Sequence, residues 1–250
     1  MAFVHIVLQG KGGVGKTLVA TVLAQYIQDS HKNDGRLLAF DADPVNSAFS
    51  TYRRFRAQTL DMLPDGTVNL SDVNQMIDAA LGHCGDVVID IGPALFIPLA
   101  NRLADGSIVR PLESQGWNVM VHSVVAGGSA QLETLEGLGR TIHSLPPGVP
   151  IVVWLNEFFG PIIAPDRHSF KEMKVYTSNL HRYAGLVQIP NKDPATFGTD
   201  LRQMLEKRRT FAEVIADADT RIMTRQRLTL MRNELYRQLD AILPTGLSME

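Results

Sequence analysis

A glycine-rich segment close to the start of the chain carries the residues best suited to chemistry. Residues 10–17 read Gly-Lys-Gly-Gly-Val-Gly-Lys-Thr, which fits the phosphate-binding pattern G-x-x-x-x-G-K-[ST]. Glycines let the backbone curl so that successive N–H groups face phosphate oxygens, and a helix that begins there adds its positive end. We therefore predict a site for ATP and Mg²⁺, in which Lys16 reaches the β- and γ-phosphates and Thr17 binds the metal through its hydroxyl. The predicted nucleotide-binding residues here are Gly10, Lys11, Gly12, Gly13, Val14, Gly15, Lys16, Thr17 and Leu18.

Three aspartates at the ends of predicted strands are candidates to complete such a site. Asp41 and Asp43 lie in the segment Asp-Ala-Asp-Pro after one strand, and Asp90 follows another. Because strand ends in open α/β sheets face the ligand crevice, we expect Asp90 to hold Mg²⁺ through water. The D-x-D-P segment also fits two aspartates that cap a turn, so the pattern alone leaves both interpretations open.

The elements that must position these residues follow from hydrophobic periodicity. Short apolar runs alternate with helical patterns, which predicts an α/β fold with a mostly parallel central sheet and helices on both faces. Predicted strands cover residues 3–8, 36–40, 86–89, 117–125, 151–155 and 185–189. Predicted helices cover 17–28, 71–81 with Ser71 as its cap, 129–144, and a long C-terminal helix over 219–243. No linker divides the chain, so we expect one domain over residues 1–250.

The composition is that of an ordinary globular protein. Of 250 residues, 45% are hydrophobic and 20% charged, and the formal net charge is −2. A net charge this close to zero does not attract nucleic acid, so nonspecific DNA contact would need a local basic patch. Such charge runs are more often solvated faces. The candidate patch residues are Arg53, Arg54, Arg56, Lys207, Arg208, Arg209 and the arginines of the C-terminal helix.

Cysteine content and the amino terminus bear on the compartment. Cys84 is the one cysteine in the sequence, so an internal disulfide is excluded, and we expect a buried or half-buried side chain. The chain runs straight into an apolar strand without the features of a signal peptide. No window approaches the roughly 20 apolar residues of a spanning helix. Together these features predict a cytoplasmic protein.

Lys11 distinguishes this loop from a generic one. The string Lys-Gly-Gly-Val-Gly-Lys-Thr resembles the deviant Walker A loop of the ParA/MinD ATPases. The resemblance implies a P-loop NTPase fold and a homodimer that forms on ATP binding, in which Lys11 reaches the partner's phosphates. An extra cation near the γ-phosphate would neutralise charge that develops during transfer.

The same resemblance implies roles for the aspartates. Asp43 would orient or activate the attacking water, and Asp41 would lie near the Mg²⁺ shell. The predicted catalytic residues are therefore Lys11, Lys16 and Asp43, and the predicted metal site is Thr17, Asp41 and Asp90. The family usually continues with Gln-Gly-Asn after the D-x-D-P proline, whereas residues 45–47 here are Val-Asn-Ser.

Three further residues complete the predicted nucleotide site. The backbone N–H of Gly92, just after the Asp90 strand, is a candidate to sense the γ-phosphate. By resemblance, Asn156 at the end of a later strand would hydrogen-bond the adenine edge, and the segment at Pro190 would pack on the base. For Asn156 and Pro190, loop residues without any ligand contact are the alternative.

Stretches outside these motifs resemble the TraL-type conjugal-transfer proteins of plasmids, from the first strand to about residue 210. They cover residues 7–16, 43–46, 124–128, 152–156, 170–177, 188–190 and 204–206. The subgroup implies a slowly hydrolysing ATPase switch that acts as an accessory factor in plasmid conjugal transfer or plasmid partition and positioning. Its expected partner is a transfer or partition protein.

Two other functions remain open on the sequence alone. A metabolic P-loop ligase or kinase would need a pocket for a small second substrate, and Lys11 argues against it. A MinD-like protein positioned at a membrane surface would use the C-terminal helix, whose apolar stripe and arginines fit that role. Packing of the stripe against the domain or against the dimer partner is favoured over membrane contact.

Overall fold

A single parallel sheet forms the centre of the molecule. The computed structural model describes residues 2–30, 36–60, 69–164 and 166–243. Within these residues the sheet has seven strands in the order β3-β2-β4-β1-β5-β6-β7, and every neighbouring pair is parallel. The strands are β1 Phe3–Val7, β2 Leu37–Ala42, β3 Gln58–Thr59, β4 Asp86–Ile91, β5 Asn118–Ala126, β6 Ile151–Asn156 and β7 Tyr183–Ile189.

Helices connect the strands and cover both faces of the sheet. The β1–α1 connection is the glycine-rich loop, so this loop lies at the centre of the sheet, where β1 is flanked by β4 and β5. The helices are α1 Lys16–Asp29, α2 Leu70–Leu81, α3 Phe96–Ala104, α4 Val109–Ser114, α5 Gln131–Ser144, α6 Lys174–Thr177, α7 Thr199–Glu206, α8 Phe211–Ala216 and α9 Ile222–Asp240.

Burial of the central strands explains why they form a parallel sheet. Every residue of β4 and of β6 is buried, as expected when helices cover both faces. One apolar core joins the sheet to α2, α3, α4 and α5, and a second joins it to α1, α7, α8 and α9. The two cores fix the carboxyl ends of β1, β2, β4 and β6 next to one another.

The sequence expectations hold for the sheet and differ in detail elsewhere. The six predicted strands and the four predicted helices are confirmed, with boundaries shifted by up to three residues. The sequence analysis did not predict β3, a two-residue edge strand, or the short helices α3, α4, α6, α7 and α8. Two residues are too few for an alternating pattern, and one or two helical turns are too few for a clear stripe.

Two local predictions were wrong. Helix α2 begins at Leu70, and its cap is Asn69, whose side-chain oxygen accepts a hydrogen bond from the Ser71 N–H at 3.0 Å. Asparagine and serine are equally favourable at the N-cap position, so residue type alone could not decide between Asn69 and Ser71. Cys84 is exposed, because it lies in the turn between α2 and β4 instead of in either element.

The C-terminal helix packs on the domain. It is shorter than predicted, because it starts after a turn at residues 218–220. Its stripe is buried in the core that contains α1, and Tyr236 donates a hydrogen bond to Asp29 of α1 at 2.8 Å. Among the described helices, none is both long and apolar enough to cross a membrane. The buried stripe residues are Leu228, Met231, Leu235 and Leu239.

Candidate functional site

The loop between β1 and α1 has the conformation that its glycines permit. Gly13 and Gly15 have φ angles of 74° and 102°, a region that favours glycine. A Cβ at Gly15 would also lie 2.7 Å from the Asn156 amide nitrogen. Because α1 begins at Lys16, the free N–H groups of its first turn face the end of the sheet. The loop is therefore suited to hold an anion such as a phosphate.

Lys16 is held inside this loop. Its side chain is buried, and its ammonium donates a hydrogen bond to the Lys11 carbonyl at 3.0 Å. Burial lowers the pKa of Lys16, while the charges of Asp90 and Asp43 oppose that shift. An anion in the loop would stabilise the charged ammonium further, because it would add an opposite charge close to a desolvated cation.

Thr17 and Asp90 form the second polar contact of the site. The Thr17 hydroxyl donates to Asp90 Oδ2 at 2.7 Å. Asp90 is only 2% exposed, and its other oxygen, Oδ1, has no hydrogen-bond partner among the described residues. Burial raises the pKa of Asp90 to about 7, opposed by the Thr17 hydrogen bond. A buried carboxylate oxygen beside a hydroxyl is a donor set that fits Mg²⁺, a hard cation that binds oxygen.

Asp41 lies beside Asp90, since the two residues are paired in register across β2 and β4. Its carboxylate accepts hydrogen bonds from the N–H groups of Ser50 at 2.7 Å and Asp43 at 3.2 Å. Burial raises the pKa of Asp41. The residue therefore fixes the loop after β2 and adds negative charge next to the candidate metal site.

Asp43 and Gly92 pack directly against each other. Asp43 Oδ1 accepts from the N–H groups of Val45 and Asn46 at 3.1 and 3.0 Å, so this carboxylate caps its own loop. The Gly92 N–H donates to the Ala42 carbonyl at 3.1 Å. A Cβ at Gly92 would lie 2.7 Å from Asp43 Oδ1, so the loops after β2 and β4 cannot move independently.

A cavity of about 590 Å³ joins the loop to an apolar surface. This volume is within the range of small-molecule sites. Gly12, Gly13, Gly15, Lys16, Thr17, Leu18, Asp43 and Asn156 are among its lining residues, as predicted. The lining residues that the sequence reading missed are Val45, Asn46, Ala48, Tyr52, Pro93, Ala94, Phe158, Phe159, Leu201, Leu205 and Arg208.

Several predicted residues do not line the cavity, and one that does is engaged in other contacts. Asn156 lines it, but its amide donates to the Val14 carbonyl at 2.9 Å and accepts from the Phe158 N–H at 3.2 Å. In this structure Asn156 therefore stabilises the glycine-rich loop between β1 and α1. Among the described residues, the lining does not include Pro190 at the end of β7. The lining also omits Gly10, Lys11, Val14, Asp41, Asp90 and Gly92.

Lys11 extends away from the cavity. Its ammonium contacts both carboxylate oxygens of Glu133 in α5, at 2.8 and 3.0 Å. The Lys11 side chain is 39% exposed, whereas Lys16 is buried. The two lysine side chains of the loop therefore point in different directions. Lys16 points into the site of its own chain, and Lys11 points towards the outer surface.

Some of the basic residues considered for DNA contact are paired with acidic side chains of the same chain. Arg209 pairs with Asp217 at 2.8 Å, and Arg54 pairs with Asp29 at 2.6 Å. Arg208 lines the cavity. These contacts reduce the charge that a single chain can present as one patch.

Comparisons with known proteins agree with the geometry. The CobQ/CobB/MinD/ParA nucleotide binding domain matches residues 5–224. Two Escherichia coli proteins, both described as Protein TraL, are 38% and 37% identical to the chain, each over 96% of this chain and 98% of the relative.

The solved structures that the chain resembles are more distant in sequence. The MinD cell division protein of Aquifex aeolicus is 11% identical, with a TM-score of 0.46, over 91% of this chain and 96% of that chain. A plasmid partition protein of Borrelia burgdorferi B31 bound to AMPPNP is 14% identical, with a TM-score of 0.41, over 92% and 98% of the respective chains.

Proposed function

The chain belongs to the CobQ/CobB/MinD/ParA nucleotide-binding family, and on that premise we propose that it is an ATP-dependent dimerisation switch that hydrolyses ATP slowly. The proposal treats residues 1–250 as one ATPase domain, of which residues 244–250 lie outside the described residues. The observation that carries it is the contrast between the two loop lysines, one buried in its own site and one on the outer surface.

Nucleotide binding follows from the loop and the cavity. The N–H groups at the start of α1 and the Lys16 ammonium would hold the β- and γ-phosphates. The apolar end of the cavity, with Phe158, Leu201 and Leu205, offers a surface for the base. Asn156 would keep the loop in shape during binding, and a contact from its amide to adenine would require exchange of its hydrogen bond to Val14.

The Thr17 hydroxyl and Asp90 would hold Mg²⁺, with Asp41 adding negative charge nearby. When bound, the metal supplies charge neutralisation to the phosphates. Within the part of the chain that the structure describes, Thr17 bonds one Asp90 oxygen and the other has no protein partner. The chain thus keeps a buried carboxylate at the end of β4, at a cost in stability that a cation would reduce.

Asp43 and Gly92 would link the nucleotide state to the loops after β2 and β4. In the structure, Asp43 caps its own loop and Gly92 donates to Ala42. A γ-phosphate or an attacking water near Asp43 would compete for those groups. Because the two residues are in van der Waals contact, a shift of one loop would move the other.

Dimerisation would bring the two nucleotide faces together, so that Lys11 of each chain reaches the phosphates of its partner. Exposed apolar side chains surround this face: Val45 and Phe159 line the cavity, and Leu132 precedes Glu133 in α5. Covering exposed apolar side chains of this kind with a second chain is favourable, because it removes them from water. A second chain would cover it and would place a cation beside each γ-phosphate.

The relatives indicate a context for the switch. Because both Escherichia coli proteins are described as TraL and match nearly the whole chain, we propose that this protein acts as an accessory factor in plasmid conjugal transfer or partition. A transfer or partition protein would read the ATP-bound dimer in the cytoplasm. The buried stripe of α9 favours this function over a membrane-surface role, because that face is already used within the domain.

Light scattering with and without ATP and Mg²⁺ tests the proposal on the wild type, Lys11→Ala and Asp43→Ala. We expect an ATP-dependent dimer that Asp43→Ala accumulates and that Lys11→Ala fails to form. If all three proteins keep one mass with and without ATP, the switch is wrong, and a nucleotide site without a dimer, as in a metabolic enzyme, becomes the better explanation.

A further inference from the structure

The contact between Lys11 and Glu133 is an intramolecular restraint on the lysine that the proposed dimer needs. The ammonium lies 2.8 and 3.0 Å from the two carboxylate oxygens. Both side chains are partly exposed, 39% and 56%, so a second chain could reach the pair. A lysine ammonium in this position has one strong acceptor within its own chain.

The backbone on both sides of this ion pair is fixed. Gln9, which is buried at the end of β1, donates to the carbonyls of Val124 at 2.7 Å and Thr134 at 3.1 Å. A Cβ at Gly137 of α5 would collide with the Gln9 side chain, so the helix lies directly on this residue. Glu133, next to Thr134, is therefore held at a constant distance from the loop.

The Lys11 backbone is fixed as well, because its carbonyl accepts the hydrogen bond from Lys16. With both backbones held, the ammonium can leave Glu133 through side-chain rotation alone. Lysine has enough rotatable bonds to do this without any change in the fold. The contact can thus open and close while the nucleotide site keeps its shape.

Building on the proposed switch, we infer that Glu133 holds Lys11 back in the monomer and that dimerisation exchanges the Glu133 carboxylate for a phosphate of the partner's nucleotide. Two effects of Glu133 oppose the dimer. It occupies the ammonium, and its own negative charge repels the incoming phosphates. Glu133 would therefore raise the ATP concentration and the protein concentration at which the dimer forms.

The size of the effect follows from the exposure of the pair. Exposed ion pairs change an equilibrium by a factor of up to about 5. A dimer must open two such pairs, so the factors multiply to about 4- to 25-fold in the dimer dissociation constant if each pair contributes about 2- to 5-fold. An effect of this size is small enough for the charge of a triphosphate to overcome.

Sedimentation of the full chain with AMPPNP and Mg²⁺ tests the inference on the wild type, Glu133→Gln and Glu136→Gln. Glu136 is an exposed glutamate on the same helix, so its substitution removes the same charge without touching Lys11. We expect Glu133→Gln to tighten the dimer by about 4- to 25-fold and Glu136→Gln to change it by less than about 2-fold. The advantage of Glu133→Gln should shrink at high salt, which screens exposed pairs.

The controls separate this restraint from a structural role. The unfolding free energy should stay within about 1 kcal/mol of the wild type, and the affinity of the monomer for AMPPNP should match it, because the pair is exposed and the Glu133 side chain lies outside the cavity. Equal dimerisation of the two glutamate variants, a weaker dimer for Glu133→Gln, or an advantage that ignores salt would each overturn the inference alone. Absence of any nucleotide-dependent dimer in the wild type would overturn the proposed function and this inference with it.

Discussion

The nucleotide end of the sheet and the contact between α1 and α9 both bury polar groups. The two regions differ in whether these groups have partners within the chain. Between α1 and α9, Tyr26 donates to Asp240 at 2.7 Å and Tyr236 donates to Asp29 at 2.8 Å, so each partly buried polar group has a partner of its own chain. At the nucleotide end, one oxygen of Asp90 lacks a partner among the described residues. The Lys16 ammonium donates to the Lys11 backbone carbonyl and has the charges of Asp90 and Asp43 nearby, without an ion pair among the described residues.

This difference separates structural polar groups from functional ones. A polar pair that is complete within the chain contributes to stability and needs no ligand. A buried charge without its counter-ion costs stability until a ligand supplies the missing charge. The comparison therefore predicts that substitutions at the nucleotide end change ligand binding, whereas substitutions at α9 change stability alone.

The largest expected effect concerns Asp90 in the absence of nucleotide and Mg²⁺. Because its pKa is raised to about 7 by burial, the folded state binds the Asp90 proton more tightly than the unfolded state does. The contribution of Asp90 to stability is therefore most favourable below about pH 4 and is lost as the pH rises towards 7, by up to about 4 kcal/mol. Asp90→Asn should remove this decline.

Denaturant unfolding of the wild type and Asp90→Asn between pH 5 and 8 measures that difference. The variant should be the more stable of the two at pH 8, and Mg²⁺ with ATP should stabilise the wild type alone. A variant that is less stable than the wild type throughout would show that Asp90 is a structural residue like Asp29.

Lys16→Ala should have the next largest effect, on nucleotide affinity. The substitution removes the charge-assisted hydrogen bonds to the phosphates, worth about 1.5–3 kcal/mol, so ATP affinity should fall by about 10- to 100-fold. The unfolding free energy without ligand should stay equal or rise, because a desolvated cation is removed. Calorimetric titration with ATP measures the first quantity, and unchanged affinity would contradict the placement of the phosphates.

Gly92→Ala should slow hydrolysis by about 10-fold, because its Cβ would push against Asp43. Gly139→Ala on α5 is the matched control, since a Cβ there meets nothing within 4 Å. Phosphate release assays compare the two variants. Equal rates for both would show that the contact between the loops after β2 and β4 does not govern the chemistry.

Tyr236→Phe should have the smallest effect and should be confined to stability. The lost hydrogen bond to Asp29 should cost about 1 kcal/mol, because Asp29 keeps its ion pair with Arg54 at 2.6 Å. Thermal unfolding gives the cost, and ATP affinity should equal that of the wild type. A loss of ATP affinity would break the distinction between the two regions.

The sequence predicts the site where a ligand dictates residue types. A phosphate-binding loop needs glycines, a lysine and a hydroxyl in a fixed order, so the loop at residues 10–17 can be recognised from the sequence. The apolar side of the cavity carries no such requirement. Tyr52, Phe158 and Leu205 come from three distant segments, and any apolar side chain of suitable size would fill these positions.

The contact between Lys11 and Glu133 could not be predicted from the sequence either. The two residues are 122 positions apart, and α5 contains a second exposed glutamate, Glu136. Their contact depends on how Gln9 and Gly137 bring α5 onto the end of β1. Such a contact follows from tertiary packing and has no local pattern.

The central claim is that Lys11 acts on the nucleotide of the partner chain, and mixing two inactive variants tests it most directly. Lys11→Ala keeps Asp43 but lacks the lysine, and Asp43→Ala keeps the lysine but lacks the aspartate. We predict that each variant alone hydrolyses ATP at a small fraction of the wild-type rate. In an equimolar mixture, the lysine of one chain would complete the site of the other and restore hydrolysis. A mixture no more active than the sum of its parts would show that Lys11 does not act across a dimer.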